Sequence, residues 1–338
     1  MRLNFQHSIT NSHATFPIVS ILTLILWFLL PPLSETPSFA SADYGLWHLM
    51  PSMMQEGWWS LGLSAACAAL MVYFLTELNN GQVLLRINSR MISTMLAFLL
   101  ALAIPCQEWQ PGVVVALFML FSFFPLFTTY QTPSPQWTFC IYLMLSVASL
   151  SFPKILWFVP LYWFLQGYLR AFSIRCFMSS IFAVMMPYWF YAGIALITGG
   201  MEEAIQHMLM VVDISNIGHT EWSLHGITVW GFTLLSFITG CTDFYIHQFR
   251  DKTRTRSLYN VVVFHGLFTA VLIALQPVYV WTLLPVLMLS TSIVFGHFFA
   301  QTQTKFSHIF CLLLAALAAG VLLVQYFIDD ITLFAVKN

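Results

Sequence analysis

The sequence predicts an all-α polytopic membrane protein, a bundle of about eleven transmembrane helices, and three observations lead there. Of 338 residues, 59% are hydrophobic and only 7% charged, where a soluble domain carries about 25% charged residues. The apolar residues fall in long runs, and the Lys and Arg residues gather in alternate connections between them. A soluble fold would leave that apolar surface against water, whereas a bilayer accepts apolar side chains on the outside of every helix. The formal net charge of -1 provides no basic face for neutralising phosphates, so no nucleic-acid partner is expected and the lipid bilayer is the first partner.

A crossing helix needs about 20 apolar residues, or about 17 to 25 once tilt is allowed. Taken in order, the runs are 14–31, 58–76, 91–105, 112–128, 137–151, 155–169, 176–199, 226–243, 258–275, 278–295 and 307–327. The first follows Arg2 as a signal peptide would, yet it ends at Pro31 and Pro32 with no small-residue cleavage site beside it, and is read as a retained helix. Three runs are short. The pair at 137–151 and 155–169, joined through Phe152, Pro153 and Lys154, suits either two full spans or a re-entrant hairpin, and both return the chain to one side. No soluble domain, fixed-period repeat or low-complexity tract interrupts the series, so residues 1–338 form a single transmembrane domain.

Cytoplasmic loops hold an excess of Lys and Arg, while acidic residues say little about orientation. With the amino terminus inside and the carboxyl terminus outside, the inner segments contain Arg2, Arg86, Arg90, Arg170, Arg175, Arg250, Lys252, Arg254, Arg256 and Lys305, ten of the twelve basic residues. Only Lys154 and Lys337 lie outside, with Glu35, Asp43, Glu56, Glu108, Glu202, Glu203, Asp213, Glu221, Asp329 and Asp330. The densest inner charge run is the basic loop at 244–257, which suits contact with anionic headgroups, with a membrane-protein or cytoplasmic partner, or with an anionic substrate. Two outer loops, 31–57 and 200–226, are long enough to carry a site. In the second, Ile205, Met208 and Val212 share one helical face, the pattern of a short helix lying on the membrane.

There is no P-loop, GxSxG, HExxH or paired CxxC, so chemistry must come from isolated groups brought together by packing. The six cysteines stand singly, mostly in apolar runs, as small buried hydrophobes do. No metal centre is expected and no cofactor is implied. The catalytic candidates are the outer carboxylates Asp43, Glu35 and Glu202, with His48, Lys154, Asp213, His219 and Glu221 as candidate substrate contacts. A carboxylate beside a histidine serves as a general base or a metal ligand; an ordinary solvated outer loop accounts for the same composition. Among residues at membrane depth, His265 lies within its span and Asp243 near the inner end of its own. Both are costly in lipid and are functional hypotheses on that ground, against a structural hydrogen bond to a neighbouring helix.

The segments LNNGQVLLRINSRMISTMLAFLLALAIP and TPSPQWTFCIYLMLSVASLSFPKILWFVPLYWFLQGYLRAFSIR resemble an uncharacterised family of polytopic inner-membrane proteins of Bacteroidetes. The likeness covers roughly 78–175: an Asn- and Arg-containing turn before a span ending in Pro, then a hairpin returning to Arg. More remotely, the layout is similar to polysaccharide polymerases and lipid-linked glycosyltransferases, and Asp43 follows the first helix as an acidic residue often does in such enzymes. The resemblance implies a bacterial cytoplasmic membrane, a lipid-linked substrate and a place in cell-envelope glycan assembly. This chain departs from the polymerase pattern in having no Arg in its outer loops. A non-catalytic scaffold of an inner-membrane complex and a transporter of a small solute or lipid are the alternatives.

Overall fold

A computed structural model describes residues 15–29, 47, 57–85, 89–213, 222–301, 305–330 and 332–333. Each of the eleven apolar runs is a helix, and a twelfth, amphipathic helix follows the seventh. In chain order they are α1 (Thr15–Leu29), α2 (Gly57–Gln82), α3 (Met91–Leu102), α4 (Pro111–Thr128), α5 (Pro135–Ser151), α6 (Phe158–Tyr168), α7 (Ile174–Thr198), α8 (Met201–Val212), α9 (Leu224–His247), α10 (Thr253–Leu275), α11 (Val280–Gln301) and α12 (Lys305–Phe327). Among the described residues, seven helical segments are long and apolar enough to cross a membrane; the protein is an integral, multi-pass membrane protein. All six cysteines are free thiols.

Helix ends follow local chemistry. Pro111 and Pro135 open α4 and α5, where a missing N–H costs nothing and the fixed φ suits the first turn. Ser173 accepts a hydrogen bond from Cys176 N to cap α7, and Ser223 accepts one from Gly226 N to cap α9, each satisfying a first-turn donor. Gly199, at φ 79°, closes α7 in the left-handed conformation that favours glycine. The helix α2 runs past its apolar stretch to Gln82 because Asn79 receives the Leu85 N–H on its side-chain oxygen and ties the exit loop down.

The connections gather at two ends of the bundle. At one end Gln131 N donates to Leu169 O, Arg254 to Gln82 and Asn260 to Tyr168, and Arg90, Arg170, Arg175, Arg250, Lys252, Arg254 and Arg256 lie in these connections or in the first turns of the helices that follow them. At the other, Trp27 Nε1 donates to Gln107 O and Gln325 Nε2 to Leu102 O. There a two-residue antiparallel pair joins β1 (Trp222–Ser223) to β2 (Thr332–Leu333). Among the described residues Lys154 is the one basic side chain at this end, beside Glu108, Glu202, Glu203, Asp213, Asp329 and Asp330.

The short pair α5 and α6 crosses the bundle. Pro135 O bonds Ser179 near the start of α7, and Ser149 bonds Tyr188 further along it, so α5 and α7 run side by side in the same direction. Between them Pro153–Trp157 turns as a 3-10 helix at the depth where α10 ends, and α6 returns with Gln166 bonded to Thr138 and Tyr142 of α5.

At the centre stands α11, with nearly every residue buried. Its neighbours approach through glycine: a Cβ added at Gly112 of α4 would lie 2.7 Å from Thr282 O, one at Gly240 of α9 2.9 Å from Phe295 N, and Gly296 of α11 itself would put one 2.7 Å from Ile92 Cα of α3. Helices in lipid have no hydrophobic drive to associate, so close backbone approach at small residues supplies the contact instead.

Candidate functional site

The 3-10 turn Pro153–Trp157 places Lys154 inside the acidic end of the bundle, 5% exposed. Its Nζ donates to Gln276 Oε1 at 3.1 Å and lies 4.4 Å from the centre of the Tyr279 ring. Phe152 packs on the same ring at 5.2 Å. Gln276 caps α10 with its backbone and is buried, and its Nε2 has no hydrogen-bond partner. Lysine offers three donors and no acceptor, one of them used here, and no carboxylate among the described residues pairs with it. The cluster is therefore rich in buried donors and short of acceptors, a situation that costs about 1 to 3 kcal/mol per unsatisfied group and suits an anion.

The second element at this end is α8. It rests on α7 through Ala204 and His207, which meet Tyr188 and Tyr191, while Ile205, Met208, Leu209 and Val212 are exposed. Its carboxyl-terminal turn is held by Trp157 Nε1, which donates to Val211 O at 2.8 Å. That bond brings the corner containing Asp213 against the turn that carries Lys154. Glu202 sits in the first turn of α8, about 16 Å from Asp213 at 1.5 Å per residue. Glu202 is exposed and Asp213 half-buried. Burial holds the His207 pKa down, to about 4, because a buried imidazole resists charge. Glu108, also at this end, is shifted the other way by desolvation.

Lys154 and Asp213 are thus brought into one region, and Glu202 is set apart from them along α8. Asp43, Glu35, His48, His219 and Glu221 lie outside the described residues.

The two residues expected at membrane depth have local partners. His265 Nδ1 meets Ser290 Oγ of α11 at 2.8 Å, and Phe123, Phe158 and Tyr162 surround the ring at 5.0 to 6.0 Å. The imidazole is enclosed by aromatic rings and bonded to one hydroxyl, and its Nε2 is buried without a hydrogen-bond partner. Asp243 is buried and pairs with His247 one turn later at 3.0 Å.

Sequence reasoning passed over one further cluster, at the basic end. Asp251 Oδ2 lies 3.3 Å from His297 Nε2, both side chains buried, with the Tyr259 ring 4.9 Å from the imidazole and Phe244 stacked on Tyr259 at 5.0 Å. The signal was there in an acidic residue amid Arg250, Lys252, Arg254 and Arg256, and in a histidine interrupting an apolar run. Among the described residues no group of three His, Cys, Asp or Glu side chains has the arrangement of a metal site. In comparisons with known proteins, no family model matches the chain and no curated protein matches it.

Proposed function

We propose that the chain binds the phosphate of a lipid-linked substrate at its acidic end, in the assembly of cell-envelope glycan, in a bacterial cytoplasmic membrane. In this reading all eleven apolar helices cross the bilayer, the short ones included, the arginine-rich end faces the cytoplasm, as expected of basic loops, and the acidic end faces out. Lys154 and the free amide of Gln276 receive the phosphate, the exposed apolar side of α8 lies in the interface where the lipid tail enters, and Asp43, Glu35 and Glu202 supply the carboxylates.

The observation that carries this reading is the buried pair of donors, Lys154 Nζ and Gln276 Nε2, with no acidic partner among the described residues. Charge-assisted bonds to phosphate are about twice as strong as neutral ones, and an anion here would satisfy both groups together. The test is retention of polyprenyl phosphate against the uncharged polyprenol by the full chain in nanodiscs. The phosphate form is expected to be preferred, and Lys154→Met to erase the preference. Equal retention of the two lipids by the parent chain would overturn the assignment. In cells, Asp43→Asn is expected to alter envelope glycan; unchanged glycan and growth would remove Asp43 from the chemistry.

A further inference from the structure

A cleft of about 380 Å³ runs between α1, α2 and α3. Its floor is made of Ala65, Ala68 and Ala69 of α2, and Trp27 of α1 stands at its far end. At the basic end its mouth is polar, formed by Glu77, Asn80 and Arg90. From Ala65 to Asn80 the floor extends about 22 Å along the helix, at 1.5 Å per residue, against about 15 Å for one leaflet of a 30 Å hydrocarbon core. All three helices have ends at the mouth: α1 begins, α2 finishes and α3 starts there, which puts Glu77, Asn80 and Arg90 at headgroup depth.

The mouth carries one charge of each sign, and the two are not spent on each other. Glu77 and Arg90 form no ion pair, either together or with other described residues. Arg90 lies over the Phe16 ring at 5.3 Å and occupies the N-cap position of α3 with no side-chain cap bond. The guanidinium thus offers a spot that favours a phosphate, with the Asn80 amide as a further donor. The Glu77 carboxylate stands ready for a positive group beside it. A headgroup bearing a phosphate and a primary amine meets both charges and donates hydrogen bonds to the carboxylate, which a quaternary ammonium cannot do; an anionic glycerol headgroup meets only one charge and faces Glu77.

We propose that this cleft is a specific site for one aminophospholipid of the surrounding bilayer, phosphatidylethanolamine. Its phosphate is held by Arg90 and Asn80, its ammonium by Glu77, and an acyl chain lies along the alanine floor toward Trp27. The proposal does not rest on the role given to Lys154, which sits at the other end of the bundle.

The test is native mass spectrometry of the full chain released from nanodiscs of phosphatidylethanolamine, phosphatidylglycerol and phosphatidylcholine in equal parts. One phosphatidylethanolamine is expected to stay with each chain, in about fivefold excess over either competitor, the scale of a single exposed ion pair. Glu77→Gln is expected to cancel the preference over phosphatidylglycerol, Arg90→Gln to lower retention of all three lipids, and Ala69→Trp, which fills the cleft from an exposed position, to abolish retention. Because Glu77 and Arg90 are exposed, their variants fold whether or not the lipid binds. Equal retention of the three headgroups, an unchanged preference in Glu77→Gln, or displacement of the lipid by an equal amount of polyprenyl phosphate would overturn the assignment.

Discussion

Asp251 Oδ2 and His297 Nε2 face each other at 3.3 Å with both side chains shut away from solvent, so a loop residue is fixed to the far end of the most buried helix. The two are in polar contact in an apolar setting, and removing one leaves the second a buried group short of that bond, at about 1 to 3 kcal/mol. Asp251→Ala and His297→Ala are each expected to lower the unfolding midpoint in detergent, and the double variant to cost less than their sum by about 0.5 to 3 kcal/mol. Strict additivity would show that the pair is not coupled.

Stability and binding are expected to separate at Lys154. Burying a lysine without a counter-charge is costly, and an apolar group of similar length removes that cost while giving up the bond to Gln276. Lys154→Met is therefore expected to unfold within about 1 kcal/mol of the parent while losing its hold on polyprenyl phosphate. A loss of stability several times larger, read from thermal unfolding, would make Lys154 a structural residue.

The docking of α8 is expected to weaken in acid. His207 is held at a pKa of about 4 by burial against Tyr188 and Tyr191, below its ordinary 6.5. Undocked, it takes up a proton near 6.5, so between about 6.5 and 4 the undocked form binds more protons. The docked form therefore has its full advantage above 6.5 and loses it progressively as pH falls toward 4. Amide exchange over 201–212 is expected to quicken across that window, and His207→Phe to remove the dependence. Exchange indifferent to pH in the parent, after correction for intrinsic rates, would contradict this.

Glycines that admit a neighbouring helix differ in consequence from those that face outward. Gly112→Ala and Gly240→Ala each drive a methyl into the α11 backbone and are expected to cost about 1 to 3 kcal/mol. Gly193 of α7 has open space where a Cβ would stand, so Gly193→Ala is expected to be neutral or to stabilise by up to about 1 kcal/mol through helix propensity. Thermal unfolding of the three variants compares them directly.

Much of this architecture is legible in residue order, because lipid forces each crossing segment to declare itself as an apolar run. The run at 112–128 becomes Pro111–Thr128, and the outward face read for Ile205, Met208 and Val212 is the exposed face of α8. Boundaries fail where polar residues continue a helix: 58–76 stops short of Gln82 because Glu77, Asn79 and Asn80 end the hydropathy signal but not the backbone hydrogen bonding. Sites fail for another reason. Asp243 and His247 are one turn apart and could be read together, whereas Lys154 meets Gln276 across 122 positions and His297 meets Asp251 across 46. Such pairs arise from which helices become neighbours, and apolar periodicity holds no record of that choice.

The enclosure of α11 bears on the order in which the molecule is put together. The helices on which it packs, α3, α4, α9 and α10, all precede it in the chain. Ile92 of α3, Gly112 of α4 and Gly240 of α9 meet α11 in the folded chain, so each has a counterpart that is synthesised after it. Ser290, Thr291, Ser292 and His297 then enter the bilayer on a segment that has no lipid-facing side in the finished protein.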